Sequence, residues 1–404
     1  MATIAVLGTL DTKGAEHAFV AEIIRRQGYR TLLVDVGSGT APTVTPDITR
    51  DEVAAAGIDL AALTQRGDRG ECVTAMSRAA PVLLERLARE GEIHGVISLG
   101  GGGGTAIATA AMRALPLGFP KLMVSTLAAG NTAPYLGTTD IVMMPAITDV
   151  AGLNRLSRVI LTRAAGAICG MVAADPEMSA TKPLVVASMF GNTTACVTEA
   201  KRVLEEAGYE VLVFAATGTG GRAMETLIAS GMADGVLDLT TTEWADELVG
   251  GVLSAGPTRM DAAAKAGIPA VIAPGCLDMV NFGEPATVPA KFAGRCFYPH
   301  NPQVTLMRTT PEECAELGRI IAEKANASTA PTEILIPLKA ISLISAPGQA
   351  FHDSVADDAL FSSIRQHAKV PVTGIDAEIN QPLFAQACAR KLIELMRSTA
   401  EATM

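Results

Sequence analysis

Aromatic side chains make up only 4% of the 404 residues, with a single tryptophan and four tyrosines. Positive charge is also scarce: 32 Lys and Arg stand against 42 Asp and Glu, a formal net charge of −10. A nucleic-acid groove needs basic residues and stacking rings, so both shortages argue against that partner. The seven cysteines include no CxxC pair. That spacing excludes a zinc ribbon or a disulfide framework and suits the reduced thiols of a cytoplasmic protein. Mean hydropathy is +0.32. Even so, no stretch reaches the ~18 uninterrupted apolar residues of a membrane span, and no basic-then-apolar signal peptide opens the chain. A membrane partner is therefore not expected. Two phosphate-binding signatures are missing: nothing reads G-x-x-x-x-G-K-[ST], and no G-x-G-x-x-G follows the first strand. A phosphate site in this chain needs another design.

That design is suggested by five consecutive glycines, Gly100 to Gly104. They follow the short apolar run Gly95-Val-Ile-Ser-Leu99, which reads as a buried parallel strand, and precede an Ala-rich helical stretch from Thr105 to Leu115. Thr105 is suited to cap that helix. Glycines at such a turn let several backbone N–H groups converge on one anion, where the helix N-terminus adds positive potential. A flexible turn with no ligand is the alternative.

The length exceeds one typical hydrophobic core, and 49% hydrophobic residues suffice to fill two. The chain is also written twice. Residues from Ile4 (Ile-Ala-Val-Leu-Gly-Thr-Leu-Asp11-Thr-Lys13, then Gly28-Tyr29 and Leu32-Leu-Val34) align without a gap on residues from Leu184. The second copy reads Leu-Val-Val-Ala-Ser-Met-Phe-Gly191-Asn-Thr193, then Gly208-Tyr209 and Leu212-Val-Phe214. Each copy spells strand, helix, terminating glycine and strand, a βαβ unit. With gaps, Gly95-Val-Ile97 is echoed by Gly235-Val-Leu237, and Pro120–Val124 by Pro269–Ala273. The expected architecture is α/β: two duplicated Rossmann-like domains, 1–180 and 181–404, each a mostly parallel sheet with helices on both faces. The polar stretch 174–183, with a proline at 176 and another at its end, is the expected joint.

Ligands of such sheets sit beyond the carboxyl ends of the strands. In the first half, the loop at Gly8–Gly14 offers Asp11, Thr12 and Lys13. Asp11 could hold Mg²⁺ or cap the helix, and Lys13 could meet a phosphate as a point charge. Asp35-Val-Gly-Ser38-Gly-Thr40 places an acid and small residues where dinucleotide folds hold a ribose. Ser125-Thr126 through Gly130-Asn-Thr132 is a fourth small-residue loop at the same edge. In the second half, Arg222 could clamp a carboxylate or phosphate. Asp278 and Asn281 could share a cleft, and His300 is the best acid–base candidate among five histidines. Glu243 joins these as a candidate for any chemistry. Each also has an ordinary structural reading, as a cap, a surface ion pair or a satisfied histidine.

These loops resemble those of the Tm-1-like ATP-binding family, known among bacterial proteins as UPF0261. The matching strings are Gly8-Thr-Leu-Asp-Thr-Lys13, Gly100 to Thr105, and Ala216-Thr-Gly-Thr-Gly-Gly-Arg-Ala-Met-Glu225. Leu239-Thr-Thr-Thr-Glu-Trp-Ala-Asp246, Leu277-Asp-Met-Val-Asn-Phe-Gly283 and Leu306-Met-Arg-Thr-Thr310 extend the match over nearly the whole chain. The resemblance implies a homo-oligomer that binds ATP in its N-terminal half. It implies contacts from Asp11, Thr12, Lys13, Ser38, Arg69, Gly101, Gly102, Gly103 and Gly104. Arg69 comes from the resemblance alone. The family's glycine run usually carries a serine where this chain has Gly102. No general base is matched to a nucleophile, so binding ranks above catalysis. An enzyme acting on a small acidic metabolite, with a second ligand between the domains, and a regulatory module without turnover both stay open.

Overall fold

The computed structural model describes residues 1–174 and 182–403. They form two compact units that divide between residues 177 and 178. Most of the expected joint, and the expected boundary at 180, lie outside the described residues.

The first unit runs β1 (Thr3–Gly8), α1 (Leu10–Arg26), β2 (Arg30–Asp35), α2 (Arg50–Ala54), α3 (Leu60–Arg66), α4 (Arg69–Arg89), β3 (Gly95–Gly100) and α5 (Gly102–Arg113). It continues through β4 (Lys121–Ser125), α6 (Ala133–Leu136), β5 (Val142–Pro145) and α7 (Arg155–Ala173). The five strands pair in parallel in the order β2-β1-β3-β4-β5. Period-2 alternation divides their side chains between two cores. Ala5, Leu7, Val34, Val96 and Met123 face α4 and α5. Ile4, Val6, Leu33, Ile97, Leu122 and Val124 face α1 and α7. Because both faces are covered, the strands read as continuous apolar runs. Among the described residues one helix, α7, is long and apolar enough to cross a membrane by length and composition. Its Leu161, Ala164, Ala165 and Ile168 are buried in the α1-side core.

The second unit runs β6 (Leu184–Met189), α8 (Thr194–Glu206), β7 (Glu210–Ala215), α9 (Thr219–Ala229), β8 (Gly235–Thr240), α10 (Glu243–Val249), α11 (Asp261–Ala266) and β9 (Ala270–Gly275). An antiparallel sheet of β10 (Met279–Phe282), β11 (Phe297–Asn301) and β12 (Val304–Arg308) follows, ordered β10-β12-β11. Last come α12 (Pro311–Asn326), β13 (Thr332–Pro337), α13 (Ser354–His367), β14 (Val372–Ile375) and α14 (Pro382–Thr403). Six parallel strands are ordered β14-β13-β9-β8-β6-β7. Helices α8 and α14 cover one face, and α12 and α13 pack over the other.

The strand order repeats between the units: β1 lies between β2 and β3 as β6 lies between β7 and β8. Even the helix-ending glycines agree, Gly28 at φ +89° and Gly208 at φ +95°. Both adopt the left-handed conformation that only glycine enters without strain. The second unit has an antiparallel sheet and α12 inserted between β9 and β13 and a sixth strand in its main sheet, while the first has three helices, α2 to α4, where the second has α9 alone.

Inside the second unit, Asp246 on α10 accepts from the backbone of Leu253 and Asn281 and from the Asn281 amide at 2.7 Å. Burial pushes its carboxyl up to about 7, against the pull of those bonds. An unfolded aspartate titrates near ~3.9. The raised folded value means that its contribution to stability is complete below about pH 4 and is lost as pH rises through about 7. Urea midpoints of the wild type are therefore expected to fall between about pH 4 and 7. In Asp246→Asn that part of the fall should vanish. Identical pH slopes for the two proteins would refute the assignment.

Candidate functional site

The carboxyl edge of the first sheet opens into a cavity of about 1000 Å³. That is the top of the ~300–1,000 Å³ range of small-molecule sites. Thr9 lines it just before α1, the first turn of α1 contributes Asp11, Thr12 and Lys13, and the loop after β2 contributes Ser38, Gly39 and Thr40. The start of α4 adds Asp68, Arg69, Cys72 and Val73; Gly101 to Gly104 follow β3; Thr126 follows β4, and Ile147 to Asp149 follow β5. Every residue implied by the resemblance as a nucleotide contact therefore lines one cavity. It lies where the strand order reverses about β1, the usual place for a ligand in an open α/β sheet.

The glycine run is organised differently from the sequence expectation. Helix α5 begins at Gly102 with Gly101 as its cap residue, so Gly102, Gly103 and Gly104 form its first turn. Thr105 is not the cap. Its hydroxyl is buried against Ser125 Oγ at 2.7 Å, tying the helix to β4. No side chain caps α5, which leaves its first N–H groups for water or a ligand. Helix α4 differs: Asp68 caps it by accepting from the N–H groups of Gly70 and Glu71. The positive end of α5 is thus the unneutralised one. The Arg69 guanidinium has no hydrogen bond or ion pair among the described residues. Its Nη2 lies 4.0 Å from where a Gly103 Cβ would stand.

Asp11 is part of the framework beneath the site. Its Oδ2 accepts the Gly39 N–H at 2.8 Å, while its Oδ1 is buried without a partner. A Cβ on Gly37 would come within 2.7 Å of this carboxylate and one on Gly39 within 2.8 Å, so both glycines make room for it. Asp35, the expected ribose ligand, is fully committed elsewhere. It accepts from Leu10 N, Gly37 N and Arg50 Nε at 2.8–3.1 Å and does not line the cavity. Lys13 lines the cavity, but its ammonium donates to the Val150 carbonyl.

The candidates of the second half are not brought together. Glu243 is buried and accepts from Gly218 N at 2.6 Å, Gly221 N at 3.1 Å and Arg259 Nε at 2.6 Å. Arg259, only 1% exposed, also makes a two-pronged pair with Asp238 and reaches Glu225 at 3.3 Å. Burial raises the Glu243 and Glu225 carboxyls despite Arg259. Burial would lower the Arg259 guanidinium, but Asp238, Glu243 and Glu225 together outweigh it and hold the charge. Arg222 is exposed and donates to the Ser254 carbonyl and Thr219 Oγ1. Asp278 is fully buried under Ser342, and burial raises its carboxyl. Asn281, fully buried too, is bonded to Asp246 rather than to Asp278. His300 is exposed on β11. Each side chain serves its own local structure, as the ordinary reading of such residues has it.

Sequence reasoning missed Asp149, Thr148 and Ile147, which lie on a polar loop without a motif, and Cys72, Val73 and Ile107, which sit in ordinary helix patterns. Only Ile147 leaves a trace, in the backbone: φ +65°, rare for a β-branched residue.

Residues 2–177 match the profile described as "Uncharacterised protein family (UPF0261) N-terminal domain", and residues 182–396 match its C-terminal domain. A UPF0261 protein of Clostridium tetani is 50% identical over 398 residues, covering 97% of this chain and 98% of that protein. One from Rhizobium meliloti is 49% identical over 392 residues, covering 96% and 97% respectively. The tomato (Solanum lycopersicum) ToMV susceptible protein tm-1(GCR26) is 37% identical over 418 residues. That match covers 96% of this chain and 55% of the tomato protein, so the chain spans about half its length.

Proposed function

The chain belongs to the UPF0261 family, and from that premise we propose that it is a nucleotide-binding protein holding ATP at the carboxyl edge of its first sheet. The observation that carries this reading is the bare first turn of α5, faced by the unpaired Arg69 within one cavity. Uncapped N–H groups, a helix dipole and a guanidinium together fit a chain of phosphates. Ser38, Gly39, Thr40 and Thr64 supply polar groups toward the β2 side for a nucleoside. Mg²⁺ would arrive on the phosphates, with the bare Oδ1 of Asp11 as the protein oxygen suited to it. Binding without turnover is favoured over an enzymatic reading, because Arg222, Glu243, Asp278 and His300 assemble no reactive centre.

ATP at ~100 times its dissociation constant should stabilise the first unit by about 2.7 kcal/mol. For a unit of this size that corresponds to a rise in melting temperature of roughly 5–10 °C. Adenosine at the same concentration should give little, since it lacks the phosphates. No shift with ATP or ADP in a thermal-shift titration would sink the proposal.

A further inference from the structure

Lys13 is the only residue of α1 with non-helical dihedrals, φ −133° and ψ 26°. Two partners account for the break. The Lys13 carbonyl receives the Nδ1 of His17 at 2.7 Å, and the Lys13 ammonium is drawn onto the Val150 carbonyl. His17 is fully buried, which lowers its pKa and keeps the ring neutral, so Nδ1 carries the proton given to Lys13. Its Nε2 has no partner and presses so close to Gly8 that a Cβ there would come within 2.0 Å.

Val150 lies near the end of a segment with its own tension. Ile147 holds φ +65° and is 73% exposed, although it is a large β-branched residue. Thr148 N–H closes a tight turn onto the Ala146 carbonyl at 2.7 Å. Gly152 N–H is anchored to Glu16 Oε1 at 2.5 Å, which fixes the segment's far end to α1. Lys13, Ile147, Thr148 and Asp149 all line the proposed nucleotide cavity.

We propose that Lys13 is a phosphate-operated latch on residues 146–151, with His17 as the positioning residue that holds the kink from which it swings. The inference rests on the nucleotide reading of the site. Without ligand, the ammonium holds the Val150 carbonyl and keeps the segment strapped in its strained turn. A phosphate chain seated on Gly102 to Gly104 offers Lys13 an opposite charge, whose Coulomb attraction a neutral carbonyl lacks. The ammonium transfers, Val150 is released and Ile147 leaves the left-handed region. Occupancy of the site is thereby written into the conformation of an exposed apolar residue at its rim.

Amide hydrogen exchange of the full chain, followed on peptides covering 146–151, tests the latch. Ligand-free Lys13→Met should exchange there at least fivefold faster than wild type, and Lys13→Arg should stay near wild type. Saturating ATP or inorganic tripolyphosphate should speed exchange in wild type by a similar factor and leave Lys13→Met unchanged. Unaltered exchange in ligand-free Lys13→Met overturns the latch whatever ATP does. So does ATP that raises the melting temperature of wild type without speeding exchange in this segment. Failure of ATP to bind at all would instead refute the nucleotide reading. In that case the Lys13→Met arm still decides whether Lys13 holds the segment, and the tripolyphosphate arm whether an anion releases it.

Discussion

In Gly103→Asp, the rise in melting temperature on adding ATP is expected to disappear while the ligand-free protein stays folded. Gly103 sits in the first turn of α5, where a Cβ would stand 3.2 Å from Val73 Cγ2 and 4.0 Å from Arg69 Nη2. The contact with Val73 is tight but is with the end of a side chain, so a small shift accommodates it. The new carboxylate then lies within reach of Arg69 and next to the free N–H groups of the helix. An acidic residue there is favourable for α5 itself, and it fills the anion seat from within the chain. The full ~2.7 kcal/mol available from ATP at 100 times its dissociation constant should be lost. The control is Gly102→Ser: nothing lies within 4 Å of a Cβ at that position, so binding should persist. ATP stabilisation that survives Gly103→Asp would place the phosphates elsewhere.

The second large effect is on stability. Arg259→Met removes the one cation shared by Asp238, Glu243 and Glu225. Breaking a buried ion pair by deleting one partner costs about 3–5 kcal/mol, because the remaining charge is stranded. Methionine fills part of the volume but donates none of the hydrogen bonds that the guanidinium gives to Asp238 and Glu243. The sign of the pH dependence follows from the carboxyls. Those of Glu243 and Glu225 are already raised by burial. Without the guanidinium they rise further, and stability tied to a raised carboxyl is lost as pH climbs through its folded value. The urea midpoint of Arg259→Met should therefore trail wild type by more at pH 8 than at pH 5. A deficit under ~1 kcal/mol, or one independent of pH, would show that the network contributes little.

Much of the architecture could be read from the residues. The gapless alignment of Ile4–Val34 on Leu184–Phe214 implied the repeated βαβ units, and the shared strand order agrees with it. Apolar runs such as Ile4–Leu7 and Val96–Leu99 are buried strands because helices cover both faces of the sheet. The antiparallel insertion β10-β12-β11 was not legible, because strings such as Phe297-Tyr-Pro-His-Asn301 alternate weakly and contain a proline. At the candidate site, the small-residue loops lie together around one cavity at the carboxyl edge of the sheet. The charged residues were less legible. Asp35, Lys13 and Glu243 all stand near strand or helix ends where ligands often bind, yet each finds a partner farther along the chain: Arg50, Val150 and Arg259. Such pairings depend on the folded arrangement of loops and leave no local pattern. Arg69, in contrast, has an unremarkable neighbourhood in sequence and no partner among the described residues.

The carboxylate of Glu243, resting on the N–H groups of Gly218 and Gly221 at the entry to α9, carries a thermodynamic consequence. The second unit supplies its own anion covalently, at a local concentration that does not depend on any dissolved ligand. The first unit, on the proposed reading, draws its anion from solution, and its stability follows mass action. Two related halves therefore respond differently to a fall in nucleotide: one is indifferent, while the other loosens. Depletion would register in half of the chain, with the rest as a fixed reference.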